Sequence, residues 1–416
     1  MIDTTLYPRF VEPHLLDALA DSPAVLIHGP RQCGKTTLAR IVGASRGYRY
    51  VTFDDDVVRG AAEEDPLGFA AALPARVILD EVQRAPSLFT ALKMEIDRRR
   101  VPGRFLLTGS THVLLVPKLS ESLAGRLQTL RLHPLAQCEL EQSDAGFLDA
   151  LFAAEFAIGH TARLGDRLPA RIVAGGYPAA LTRPPGRRRA NWYNDHVNAL
   201  VQHDVRDLAS IRKLEILPRL LAGAASQTAR MFNASDLAAP FEVSRPTIRD
   251  YTTLLERVFL VERVPAWHSN RLSRLIKRPK LHLCDTGIAS SLLGLDGPAL
   301  AYDRTLLGQL LETFVFQELR RQASWNDARM SFHHFRNKDG AEVDIVIERG
   351  ATGVAGVEVK ASGTVGTGDF RGLRKLREAL RERFAAGVVL YDGEATVPFG
   401  DRLFAVPLRQ LIGGAG

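Results

Sequence analysis

The chain has 416 residues, more than one hydrophobic core usually organises, so two or three domains are expected. Apolar residues make up 46% and charged residues 24%, a balance that excludes a disordered chain. Lys and Arg outnumber Asp and Glu by 54 to 47, and the formal +7 permits an anionic partner without demanding one.

Three scattered cysteines, Cys33, Cys138 and Cys284, offer neither zinc spacing nor a disulfide framework and suit a reducing compartment. The N-terminal stretch lacks a basic region followed by an apolar core, and no apolar run reaches the roughly eighteen residues of a membrane helix. The expectation is a cytoplasmic protein with no membrane partner.

In chain order, residues 8–20 read as a short amphipathic helix. Buried strands are predicted at 24–28, 50–53, 76–79 and 104–107, with helical patterns between them. Strands alternating with helices predict an α/β domain, a parallel sheet covered on both faces, running to about residue 140. Residues 141–216 read as a helical linker or lid, 217–300 as short helices followed by a strand, and 301–416 as a return to strand and helix.

Gly29, Pro30, Arg31, Gln32, Cys33, Gly34, Lys35 and Thr36 satisfy GxxxxGK[ST] between a buried strand and a helix, with Thr37 next. That context predicts a cradle for the phosphates of ATP, because backbone N–H groups and the positive end of a helix dipole converge there. Lys35 would reach the β- and γ-phosphates and Thr36 would ligate Mg2+. The third strand ends in Asp80 and Glu81, which would hold magnesium and orient the attacking water respectively. Thr108 and Ser110 close the fourth strand, where a polar group beside the γ-phosphate is wanted.

These residues resemble prokaryotic AAA-type P-loop ATPases that carry a winged-helix middle and a nuclease-like C-terminal extension of poorly defined function. Further landmarks are Phe53 to Asp55, Leu79 to Gln83, Leu107 to Ser110, Leu123 to Arg126, Gly175 to Pro178, Asp285 to Gly287 and Val357 to Lys360. The resemblance implies a five-stranded parallel core and makes Arg126 a trans-acting arginine finger, hence a homo-oligomer. Read by itself, Arg126 serves equally well as a structural salt-bridge residue.

Residues 233–241 and 244–258 read as helix, turn, helix. Ser244 is an N-cap, and Ile248, Tyr251, Leu255 and Val258 form one apolar stripe. A strand at 259–264 completes a winged-helix pattern with Arg245, Thr247 and Arg249 exposed near the helix start, as in a DNA reader. The run 271–280 carries Arg271, Arg274, Lys277, Arg278 and Lys280 with no acid, enough for a nucleic-acid arm. The bland alternative is a packing or oligomer module beside a solvated loop.

The C-terminal part holds Glu312 on a helix, Asp344 on a strand, and Glu358 with Lys360 two apart on another strand, the elements of a PD-(D/E)xK nuclease. Residues two apart on a strand share a face, so Glu358 and Lys360 should point together. Glu312, Asp344 and Glu358 would bind a second Mg2+ or Mn2+, with Lys360 positioning water. His333 and His334 are expected at the surface. The function expected is Mg-dependent ATP hydrolysis in an oligomer that binds or acts on DNA, extending to metal-dependent cleavage. The alternative is an ATPase switch whose attached domains bind proteins in regulation or stress signalling.

Overall fold

The computed structural model of the protein describes residues 6–110, 123–143, 146–205, 215–241, 243–270, 274, 277–351 and 353–413. The chain divides into two compact units, one of residues 8–135 with 257–259, the other chiefly of 136–256 and 260–416.

In the first unit, α1 (Glu12–Asp21) precedes β1 (Ala24–His28), α2 (Lys35–Ala44), β2 (Arg49–Thr52), α3 (Asp56–Glu64), α4 (Pro66–Ala72), β3 (Val77–Asp80), α5 (Leu88–Arg98), β4 (Phe105–Gly109) and β5 (Leu127–Arg131). The sheet order is β2-β3-β4-β1-β5, and every pairing is parallel. Strands β1, β3 and β4 are buried at every position, as apolar runs covered on both faces must be, whereas edge strands β2 and β5 are partly exposed. Leu26, Phe53, Leu79, Phe89 and Phe105 are among its core residues. Asp55 caps α3 by accepting from the backbone N–H groups of Val57 and Val58, so that landmark is structural.

The second unit contains a seven-stranded mixed sheet. Helix α6 (Phe147–Ala153) leads to β6 (Gly159–His160), and two further helices, α7 (Arg167–Ala174) and α8 (Arg187–Ala199), follow. Next come α9 (Ile216–Ser226), β7 (Arg230–Met231), α10 (Ala234–Ala238), α11 (Arg245–Arg257), β8 (Val261–Val264) and β9 (Lys280–Leu283). Strands β7, β9 and β8 form their own antiparallel sheet with β9 central. Ser244 Oγ accepts from the Thr247 N–H at the start of α11, and the expected stripe of Ile248, Tyr251, Leu255 and Val258 is buried.

After α12 (Thr286–Leu292) and α13 (Arg304–Ala323) come β10 (Met330–Arg336), β11 (Glu342–Arg349), β12 (Gly353–Lys360), α14 (Arg371–Leu380), β13 (Phe384–Tyr391), β14 (Ala395–Gly400) and β15 (Leu403–Pro407). The large sheet runs β10-β11-β12-β13-β15-β14-β6. Its last strand corrects the all-helical reading of 141–216: β6 pairs with β14, and two residues are too few to show a strand period. Val343 joins Leu373 and Leu376 of α14 in one core, and Asp344, its neighbour on β11, faces the other way toward Lys280 of β9.

A buried polar network accounts for two of the family landmarks. Asp285 accepts from the Gly176 N–H at 2.8 Å, caps α12 through Gly287 and Ile288, and pairs with Arg321 at 3.1 Å, which also pairs with Glu318 at 2.6 Å. Gly175 has φ +66°, and a Cβ there would run into the Asp285 carboxylate and the Tyr193 hydroxyl. Among the described residues no helix is long and apolar enough to cross a membrane.

Candidate functional site

The loop after β1 is shaped by close approach. A Cβ on Gly29 would collide with the Leu132 carbonyl oxygen, and Gly34 adopts φ +104° just before α2. Arg9 braces the loop from outside, donating to the carbonyls of Cys33 at 2.8 Å and His133 at 2.6 Å. Pro30 and Cys33 are buried, the Cys33 thiol lying 3.5 Å from the Leu132 carbonyl oxygen; Arg31 is half-buried, and Gln32 and Thr37 are exposed. Lys35 is buried and donates to the carbonyl oxygens of Gly29 at 3.1 Å and Pro30 at 2.7 Å, which holds its ammonium inside the cradle.

Strand order places β4 between β1 and β3, so Thr108 lies beside the acidic end of β3. The Thr36 hydroxyl donates to Asp80 Oδ1 at 2.7 Å, the Thr108 hydroxyl donates to the same oxygen, and the Tyr50 hydroxyl donates to Asp80 Oδ2 at 2.8 Å. Burial and the Asp80 carboxylate push the Tyr50 phenol up to about 12, so it stays a donor. Glu81 adopts left-handed backbone, φ 55° and ψ 44°, an uncommon conformation for a residue with a Cβ. Its Oε2 accepts from the Ser110 hydroxyl at 3.0 Å and from the Gln83 amide, and Gln83 also donates to Ser110 at 3.0 Å. The Glu81 N–H donates to Thr108 Oγ1 at 3.1 Å, so Thr36, Asp80, Thr108, Glu81 and Ser110 share one hydrogen-bonded region, with Lys35 next to it in the loop. Sequence reading assigned no role to Tyr50 or Arg9, and named Gln83 only as the end of the Leu79 to Gln83 landmark; none of the three sits within the loop motif.

Arg126 lies elsewhere. It precedes β5, and β5 runs parallel to β1 with Leu127 level with Ala24, so Arg126 is at the opposite end of the strands from the loop. It forms a two-point ion pair with Asp97, Nε to Oδ1 at 2.6 Å and Nη2 to Oδ2 at 3.0 Å.

The chain shows clear similarity to known proteins. Residues 21–141 match the family described as "AAA domain", and residues 165–299 and 307–411 match two families described as domains of unknown function, DUF8612 and DUF4143. "Uncharacterized protein Rv2008c" of Mycobacterium tuberculosis (strain ATCC 25618 / H37Rv) is 30% identical over 406 residues, 97% of this chain and 84% of the relative. The chain belongs to this family of AAA-type P-loop ATPases. "Uncharacterized protein Mb2031c" of Mycobacterium bovis is similar to the ATPase by the same measures. Among solved structures, the Walker-type ATPase PABY2304 of Pyrococcus abyssi resembles it with a TM-score of 0.42 and 15% identity, over 70% of this chain and 100% of that one.

In the second unit of the ATPase, Arg245 and Arg249 are exposed and Thr247 is half-buried, its hydroxyl 2.8 Å from that of Ser244. The basic run behaves differently from its reading as an arm. Arg271 lies outside the described residues, and only Lys277 and Arg278 are exposed. Arg274 makes a two-point pair with Glu348 at 2.6 and 3.0 Å and lies over the Trp267 ring, while Lys280 is buried. His333 and His334 are buried rather than superficial: His333 lies 3.3 Å from Glu348, and His334 Nε2 lies 3.1 Å from the Arg278 carbonyl. Paired charges and ring nitrogens are bearable inside only with such partners.

The structure does bring the C-terminal residues together. Lys280 Nζ bridges Glu312 Oε1 at 2.7 Å and Asp344 Oδ1 at 3.0 Å, the Val359 N–H donates to Asp344 Oδ2 at 3.0 Å, and Lys360 Nζ donates to Glu358 Oε1 at 2.9 Å. Burial, reinforced by the Asp344 charge, pushes Glu312 up to about 8 and Glu358 up to about 7. Burial works against the Lys280 charge, but Asp344 and Glu312 hold it above the usual lysine range. Among the described residues no group of three or more His, Cys, Asp or Glu is arranged to hold a metal ion.

Proposed function

We propose that the chain hydrolyses ATP with magnesium, as an oligomer, and that its second unit binds DNA. The observation that carries the first part is the single hydrogen-bonded region joining the loop residue Thr36 to Asp80 and, one residue on, Glu81 to Ser110. Thr36 and Asp80 would hold magnesium, which neutralises charge on the phosphates when bound. Lys35 moves its donors from the carbonyls of Gly29 and Pro30 to phosphate oxygens. Glu81 Oε1 accepts no hydrogen bond from a described residue and is free to take one from the attacking water, while Ser110 and Gln83 fix the other oxygen.

The position of Arg126 supports an arginine finger that works between subunits. It stands beyond the far ends of strands about 13 Å long, at ~3.3 Å per residue step, and so does not serve its own loop. For DNA, the support is the order α9, β7, α10, α11, β8, β9 with β9 between β7 and β8, a winged-helix arrangement with Arg245 and Arg249 exposed at the start of its third helix, α11.

Glu81→Gln decides the central claim. We expect it to bind ATP as the unaltered chain does and to turn over at least about a hundredfold more slowly, the usual scale for losing a positioned base. Undiminished hydrolysis would remove Glu81 from the mechanism.

A further inference from the structure

The carboxylate cluster of the C-terminal domain contains the residue types of a metal-dependent nuclease centre, and its arrangement disagrees with metal binding. A divalent cation there needs free carboxylate oxygens at short distance. Glu312 Oε1 and Asp344 Oδ1 both accept from Lys280, and Asp344 Oδ2 accepts from the Val359 N–H. One ammonium thus stands between the two carboxylates that would have to share an ion.

Lys280 is held there by its fold. It is the first residue of β9, the central strand of its sheet, with Val264 on one side and Met231 on the other. Its side chain is 8% exposed, and withdrawing it would leave two buried carboxylates without their cation. His282, two residues on and therefore on the same strand face, is buried as well, with Nε2 3.9 Å from Glu312 Oε1 and Nδ1 3.1 Å from Thr313 Oγ1. The third carboxylate is the incomplete one: Glu358 Oε2 is buried and has no hydrogen-bond partner among the described residues.

We propose that Lys280 is the resident cation of this cluster, occupying the place of a divalent metal, so that the unaltered domain takes no metal there and loss of the lysine creates a metal site from Glu312, Asp344 and Glu358. The claim is independent of ATP turnover at Lys35 and Glu81. It also separates this domain from a metal-dependent nuclease, which would need the same oxygens free.

The test uses the full chain without nucleotide and Mn2+ as the probe, with binding read by electron paramagnetic resonance and by thermal melting. For the unaltered chain we expect Mn2+ binding that is the same with and without Asp344→Asn. For Lys280→Met we expect one additional Mn2+ per chain, a melting temperature that rises with Mn2+ as ligand linkage requires, and loss of both effects when Asp344→Asn is added. An unaltered chain that binds one Mn2+ per chain and loses it with Asp344→Asn would overturn the proposal. So would a folded Lys280→Met chain that gains no site. The unaltered-chain comparison decides the matter even if Lys280→Met does not fold.

Discussion

The Thr36 hydroxyl and Asp80 Oδ1 lie 2.7 Å apart, joining the first turn of α2 to the end of β3 across 44 residues of sequence. The bond arises because β3 and β1 are held by β4 in a parallel sheet whose strand ends all point the same way. It has a direct consequence: Thr36→Ala should lower ATP turnover more than tenfold, whereas Thr36→Ser, which keeps the hydroxyl, should retain most of it. Steady-state hydrolysis across a magnesium titration checks this, and equal loss in both variants would mean that the methyl group, not the oxygen, matters.

Arg126 gives a prediction about assembly. Arg126→Ala should leave ATP affinity within about twofold and reduce turnover by about a hundredfold or more, in line with the large effects of arginine fingers. Mixing Arg126→Ala chains with Lys35→Ala chains should restore part of the activity, because each supplies what the other lacks. If mixing restores nothing while both chains assemble, the ion pair with Asp97 is the whole role of Arg126.

The network around Arg321 is structural, and breaking it should be costly. Arg321→Met leaves Asp285 and Glu318 buried without their shared cation, a loss of about 3–5 kcal/mol. Gly175→Ala should lower the same melting transition, since it adds a Cβ where φ is +66° and the Asp285 carboxylate already fills the space. A transition unmoved by either change would show that the second unit does not depend on this network.

Glu348 makes acid stability predictable in sign. Burial alone would raise its pKa, but hydrogen bonds from His333, Arg274 and Trp267 hold it well below the ordinary glutamate value of 4.5. The folded state therefore binds fewer protons than the unfolded state just below that value. The contribution is complete above about pH 5 and is lost as pH falls toward the folded pKa. Glu348→Gln should melt lower at pH 7 and lose less on acidification to pH 3; parallel curves would refute the assignment.

DNA binding, if it runs through α11, should show in the salt dependence. Replacing Arg245 and Arg249 by Ala should weaken binding and reduce the slope of log affinity against log salt by about 0.9 for each phosphate contact removed. Arg274→Ala should leave that slope alone, because its guanidinium is already paired with Glu348. The opposite pattern would move the interface to the basic run.

Some of this protein was legible in the residues themselves. The strand, glycine loop and helix from Ala24 to Thr36 are set by neighbours a few positions apart, as are the Ser244 cap and the shared face of Glu358 and Lys360. Backbone geometry and strand or helix period act over that range, so a one-dimensional pattern determines them. The partners of charged groups are another matter. Lys280 looked like the end of an exposed basic run, yet it meets Glu312 and Asp344 at separations of 32 and 64 residues. Tyr50, Thr108 and Thr36 converge on Asp80 from three different elements, and buried His334 meets the Arg278 carbonyl across a separation of 56 residues. A charge is stabilised by whatever stands within a few ångströms of it, and only the tertiary structure decided what that was.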